Sequence, residues 1–201
     1  MNSLLCGWML TTIGELAEYI QRGKSPKYAD YSDLPVINQK CIRWNKLETQ
    51  HLKYIHPDQF SSWDEIRYIC TGDILWNSTG TGTVGRACLV TEVDCTHQKV
   101  VDSHVTIVRV SKEVDPRYVY GWIKGPIVQN KIADMCEGST NQIELSRNAI
   151  LETEIPLPPI NEQKRIADKL DSILARVDAC RERLDRIPDI LKRFRQAVLA
   201  A

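Results

Sequence analysis

No run of eighteen apolar residues occurs anywhere in this sequence, so it predicts no membrane span. Its seven cysteines (Cys6, Cys41, Cys70, Cys88, Cys95, Cys136 and Cys180) include no CxxC pair. That argues against a zinc site, and the odd number suits buried thiols in a reducing cytosol better than a disulfide framework. There is no GxGxxG opening a helix, no Walker loop and no GxSxG. The four histidines, His51, His56, His97 and His104, stand at no metal-ligand spacing and read as surface or packing residues. Asp102-Ser103-His104 invites a catalytic triad, but consecutive residues of a strand face alternate sides, so the triad is rejected. The opening MNSLLCGWML lacks a basic start and an unbroken apolar segment, which predicts no signal peptide. These absences describe a cytoplasmic binding protein with no catalytic residue, no metal ligand and no membrane partner.

A net charge is missing too, since 26 Lys and Arg balance 26 Asp and Glu, but the charge is unevenly spread. Residues 1–160 hold 16 basic against 19 acidic residues, and residues 161–201 hold 10 against 7. Within the first part, Arg22, Lys24, Lys27, Lys40, Arg43, Lys46 and Lys53 face only Asp30, Asp33 and Glu48, a local balance of +4 over 22–53. Such a field suits a face that follows phosphates, although a solvated loop would also account for it. A second conspicuous stretch is GDILWNSTGTGTVGR, 72–86. Its glycines let backbone amides approach a ligand, its threonines offer donors and acceptors, and Arg86 supplies charge. A plain Gly-Thr hairpin is the simpler alternative.

At 201 residues and 43% hydrophobic, the chain can bury one core and carry an appendage. Thr12 ahead of Glu15 is a capping box opening a short helix in TTIGELAEYI, 11–20. Short strands are expected at 35–39, 66–70, 73–78, 86–92 and 104–110. Asp115 as N-cap and Pro116 in the first turn open a helix reaching about Met135, weakened by Gly121 and Gly125-Pro126. A loop and strand at 138–146 and an extended ETEIPLPP follow. The class is α+β: a small β-rich domain over 1–158, then a helical region over 159–201.

That helical region carries the strongest periodicity in the chain. Ile166, Leu170, Ile173, Val177, Cys180, Leu184 and Ile187 are spaced 4-3-4-3-4-3, an a/d heptad seam. Cys180 therefore reads as a core residue, and Pro188 predicts a break or kink. A second helical stretch follows, with Leu191, Phe194 and Val198 on one face. Such a stripe calls for a partner helix; folding back on its own domain is the alternative.

Pro158, Pro159, Glu162, Gln163, Lys164, Arg165 and Ile166, followed by Ile187, Pro188, Leu191, Lys192, Arg193, Phe194, Arg195 and Gln196, resemble the first conserved spacer of type I restriction–modification specificity subunits. Upstream, Gly7-Trp8, Gly72-Asp73-Ile74-Leu75, Gly82-Thr83-Val84-Gly85-Arg86, Ser103-His104 and Gly138 through Ile143 resemble a target recognition domain more loosely. The resemblance implies a non-catalytic subunit that reads one half of a bipartite site on double-stranded DNA. It implies spacer helices that set the distance between recognition domains and dock methyltransferase (M) subunits, with restriction/translocase (R) subunits completing the complex. S-adenosylmethionine and ATP would then belong to the partner subunits, and this chain would hold no cofactor. Residues 162–187 as one helix would span roughly 39 Å, close to the ~34–36 Å between half-sites one DNA turn apart.

Members of that family usually carry a second recognition domain and a second spacer. This sequence is therefore either a piece of a longer subunit or a half-length one, self-associating through its seam in either case. The expected DNA contacts are Lys24, Lys27, Lys40, Arg43 and Arg86 for phosphates or guanine, Asn38, Gln39, Asn141 and Gln142 for adenine edges, and Thr79, Thr81 and Thr83 for either. The competing reading is a protein-interaction module with an oligomerising coiled coil.

Overall fold

The computed structural model of the chain describes residues 6–138 and 143–200, so the candidates Asn141 and Gln142 lie outside the described residues. The chain divides into two compact units, Met1–Lys164 and Arg165–Ala201. The class is α+β.

The first unit is organised by the strand Val105–Val110, whose apolar residues are buried along almost its whole length. It pairs antiparallel with Ala17–Arg22 on one side and Ile74–Asn77 on the other, and Ala87–Leu89 closes the four-stranded sheet. The core beneath it joins Leu75, Cys88, Val105 and Ile107 to Ile37, Ile42 and Val101. A second four-stranded sheet runs Val100–Val101, Pro35–Ile37, Lys53–Ile55, Tyr28–Ala29, its first pair parallel and the others antiparallel. The strand Met9–Thr12 pairs antiparallel with Glu154–Leu157, so the extended ETEIPLPP segment closes against the beginning of the described chain.

Several local expectations change. The capping box forms, with Glu15 N–H donating to Thr12 and the Glu15 carboxylate accepting from the Thr12 N–H. The helix is a single turn, Ile13–Leu16, and Ala17–Arg22 is a strand instead. Ile13, Leu16 and Ile20 are spaced as on a helix, but pairing with Val105–Val110 wins over that local preference. Residues 66–70 are not a strand: Glu65–Arg67 is a 3-10 turn, and residues 68–70 run on as coil. Asp115 does cap its helix, accepting from Arg117 N–H at 2.9 Å, and the helix ends at Lys124 because Pro126 opens a new turn, Pro126–Gln129.

One end of the main sheet is fixed by a buried ion pair. Asp73 is fully buried and accepts from Arg109 at 2.7 and 2.8 Å and from Cys70 N–H at 2.8 Å. Arg109 also donates to the Tyr68 carbonyl at 2.9 Å. The last turn of this unit is tied down by Gln163, which is buried. Its carboxamide accepts from Asp115 N–H (3.0 Å) and donates to the Pro158 carbonyl (2.9 Å).

The second unit is helical. Ile160–Asp185 runs into it, and Ile187–Ala200 follows after a break at Arg186. Pro188 sits in the first turn of the new helix, where its missing N–H costs nothing, while its ring excludes continuation of the preceding helix. Ile187, expected at the end of the first helix, therefore begins the second. Leu170, Ile173, Val177 and Leu184 are exposed along the first helix and Leu191, Phe194 and Val198 along the second. Cys180, expected in a core, is exposed as well, and Ile166 is half-buried. Of the other described cysteines only Cys41 and Cys88 are buried. No helix among the described residues is long and apolar enough to cross a membrane.

Candidate nucleic-acid interface

The antiparallel register places Arg22, Asn77, Ala87 and Val105 together at the end of the main sheet opposite Asp73. The loops leaving that end are those singled out by composition: 23–27, 78–86 and 102–104. Residues 38–40 join them from the second sheet. Ser78 N–H donates to the His104 carbonyl (2.8 Å), Asn77 Nδ2 donates to the Gln39 carbonyl (3.1 Å), and Leu145 N–H donates to the Ser78 carbonyl (2.7 Å). Arg22 donates to the Ser103 carbonyl and pairs bidentately with Glu144 at 2.7 and 3.2 Å. That hydrogen bonding and charge hold the Glu144 carboxyl below its ordinary value, outweighing slight desolvation.

The Gly-Thr turn is built from left-handed glycines, with φ of +96° at Gly80, +78° at Gly82 and +84° at Gly85. Thr83 Oγ1 reaches the carbonyls of Thr79 (3.0 Å) and Gly80 (3.1 Å), so this hydroxyl closes the turn rather than pointing to a ligand. Arg86 donates to the carbonyls of Ile42 and Gly82, both at 3.3 Å, and is likewise a brace. Thr81 is exposed at the tip. Thr79 is buried, and its hydroxyl has no hydrogen-bond partner.

Among the other candidates, Asn38 is buried. Its amide donates to the His51 carbonyl (2.6 Å) and its carbonyl accepts from Lys40 N–H (2.9 Å), so it shapes the loop. Gln39 is half-buried and Lys40 is exposed. Arg43 and Lys46 converge on Glu48 at 2.9 and 3.3 Å. Desolvation pushes the Glu48 carboxyl up, but Lys46 and Arg43 outweigh it and leave it below the ordinary value. Lys24 donates to the Ser62 carbonyl (2.8 Å) and stands 5.5 Å over the Trp63 ring. Of the seven cations in the basic stretch, Lys27, Lys40 and Lys53 are the exposed ones without such a carbonyl or carboxylate bond described.

Between these loops lies a polar cavity of about 550 Å³, lined by Tyr28, Gln39, Lys40, His51, Lys53 and His104, with Asn38 and Asp102 in its wall. Four of these, Tyr28, His51, Lys53 and His104, are not among the expected contacts. The sequence signal was Asp-x-His. Residues 102–104 form a turn, not a strand: Val105 N–H donates to the Asp102 carbonyl (3.1 Å) and His104 N–H to Asp102 Oδ1 (2.9 Å). Ser103 Oγ pairs with Ser25 Oγ (2.7 Å), and the strand alternation expected for Asp102-Ser103-His104 does not apply to this turn. Asp102 is 2% exposed and also accepts from the Tyr28 hydroxyl (3.3 Å). Burial, then the Asp102 charge and hydrogen bond, push the Tyr28 phenol up to about 12.

The family model for the type I restriction modification DNA specificity domain matches residues 6–189. The chain belongs to that family. The chain is 30% identical over 208 residues to the StySPI specificity subunit of Salmonella potsdam and 28% identical over 206 residues to the EcoKI specificity subunit of Escherichia coli K12. These matches cover 97% and 96% of this chain and 42% of each relative, so the chain spans less than half the length of either specificity subunit. Among solved structures, the fold matches the HsdS subunit from Thermoanaerobacter tengcongensis with a TM-score of 0.63 at 19% identity, over 89% of this chain and 45% of that one. A chain from work on complex assembly and conformational transition of the type I R-M system matches with a TM-score of 0.74 at 20% identity, over 98% of this chain and 46% of that one.

Proposed function

We propose that this specificity-domain chain reads one half of a bipartite site on double-stranded DNA and performs no catalysis itself. The observation that carries this reading is the gathering of separate polar loops, 23–27, 38–40, 78–86 and 102–104, at one end of a sheet in a member of this family. Direct contacts would come from the exposed Thr81, Lys40 and Lys27 and from the half-buried Gln39 beside the buried Asn38. Arg86, Thr83 and Arg43 act one step back, by holding the loops that present them.

The helical unit serves as spacer and docking post. Its exposed apolar stripe associates with another helix, from a second copy or a second spacer, and offers a surface to methyltransferase subunits, with restriction/translocase subunits joining the larger complex. S-adenosylmethionine and ATP are used by those partners, in the cytoplasm, and this chain needs no cofactor. The test is an exchange of residues 1–155 for the corresponding part of another family member, within an assembled system, followed by sequencing of methylated DNA. One half of the modified motif should change as a block while the other half stays. A motif unchanged in both halves overturns the assignment.

A further inference from the structure

We infer that the cavity between Tyr28, Lys40, Lys53 and His104 takes a phosphodiester of the DNA backbone, as an anchor that does not depend on base sequence. This rests on the DNA reading above and gives it a specific contact that the basic stretch alone did not single out.

The case begins with what the cavity offers. Lys40, Lys53 and His104 line it with donor groups, while Ser25 and His51, also in its lining, already bond to Ser103 (2.7 Å) and Gln50 (3.3 Å). Its one carboxylate, Asp102, is 2% exposed and already engaged by His104 N–H and the Tyr28 hydroxyl. The Asn38 carboxamide is used at both ends, by the His51 carbonyl and the Lys40 N–H, and the half-buried Gln39 carboxamide adds one acceptor beside its own N–H donors. What remains is rich in donors and poor in acceptors. A base edge presents donors and acceptors together, whereas a phosphate presents acceptors only. The free capacity of the site therefore matches a phosphate.

The charged groups are also held for the purpose. Lys53 Nζ lies 4.3 Å over the Tyr28 ring, an attraction that fixes the ammonium without using its N–H groups. Tyr28 is itself anchored to Asp102, so the ring, the carboxylate and the lysine form one chain of contacts. The Nδ1 of His104 is buried and stands 3.2 Å from Asp102 Oδ2, at ion-pair distance but without the alignment of a hydrogen bond. With the buried nitrogen turned to Asp102 and the side chain 42% exposed, Nε2 is left as the ring atom for a ligand. Asp102 is thus a positioning residue for both His104 and Tyr28. Glu144 is paired with Arg22, and Glu48, 3.9 Å from His51, with Arg43 and Lys46.

Lys40 and Lys53 are exposed, so Lys40→Gln and Lys53→Gln leave the fold intact and carry the test. The full 201-residue chain is titrated with duplex DNA containing the modified motif, and with an unrelated duplex, over a range of salt. Each substitution should weaken binding to both duplexes by the same factor, about three- to tenfold, and reduce the slope of log affinity against log salt by about 0.9. Asp102→Asn should weaken both duplexes alike while leaving that slope unchanged, because it frees His104 and Tyr28 without removing a cation. If the unaltered chain shows no salt-dependent DNA binding, the DNA reading itself falls and this site with it. If the unaltered chain binds but both lysine variants match it in affinity and slope, the cavity is not the anchor and the DNA reading stands. Loss confined to the motif duplex would mean a base contact and overturn the phosphate assignment. A free-phosphate site is distinguished by titrating inorganic phosphate at constant ionic strength. Phosphate binding that the variants lose, with DNA binding untouched, would also overturn it.

Discussion

The two compact units use burial in opposite ways. In Met1–Lys164 a core of large apolar side chains is enclosed, and buried charged and amide groups in it have partners: Asp73 in Arg109, Asp102 in Tyr28 and the His104 N–H, Gln163 in two backbone groups. In Arg165–Ala201 the large apolar side chains of the heptad stripe lie mostly at the surface, from Leu170 through Val198. A 26-residue helix such as Ile160–Asp185 is long enough to form, but an exposed stripe of this kind gains its stability only from a covering surface. The first unit encloses a core of its own, while the second leaves its stripe uncovered in the single chain.

The strongest way to break that comparison is at the buried pair. Arg109→Ala would leave the Asp73 carboxylate enclosed without its guanidinium, and losing one partner of a buried pair costs about 3–5 kcal/mol. Urea unfolding followed by tryptophan fluorescence should show a loss of that size, and Asp73→Asn added to the same chain should restore part of it. An unchanged midpoint for Arg109→Ala would mean that the first unit does not depend on its buried polar groups.

A smaller effect, about 2.7 kcal/mol or 100-fold in dissociation constant at 1.36 kcal/mol per decade, is expected for Leu170→Asp. The residue is 39% exposed in the single chain, so folding should change by no more than about 0.5 kcal/mol. Association instead would bury a charge in the seam. Sedimentation equilibrium should find the unaltered chain self-associating and the variant monomeric at the same concentration. Equal masses for the two would remove the stripe's claim to be an interface.

These residues also show what was legible in the sequence. The heptad stripe could be read directly because helix periodicity is local, and the break before Pro188 follows from one residue's covalent geometry. The caps at Thr12 and Asp115 were legible for the same reason. The strand Ala17–Arg22 was not, because its apolar spacing imitates a helix and only its partner Val105–Val110 decides otherwise. The candidate interface was half legible. Composition located the loops, yet Asn38, Thr83 and Arg86, chosen for their side-chain chemistry, spend that chemistry on backbone groups. Conversely, Tyr28, Lys53 and His104 meet across three segments of the chain, and no local spacing reveals that. Strand alternation would part Asp102 from Ser103, whereas an Asp side chain bonding the N–H two residues on makes a turn and brings His104 back to Asp102.

The smallest effect is the most direct reading of the comparison, since cysteines sample both units. Cys41 and Cys88 are buried, and desolvation pushes the Cys41 thiol up to about 11 and Cys88 higher still. Because the thiolate is the reacting species, both should resist a maleimide until the first unit unfolds. Cys6 and Cys180 are exposed and should label readily in dilute solution. Cys180 lies on the stripe, so self-association should cover it. Raising the protein concentration through the association midpoint should slow its labelling several-fold relative to Cys6 in the same sample, as read by mass spectrometry of the two peptides. Leu170→Asp should abolish that concentration dependence while Cys41 and Cys88 stay protected. A constant Cys180-to-Cys6 ratio in the unaltered chain, under conditions where it is demonstrably associated, would place the association surface away from the heptad seam.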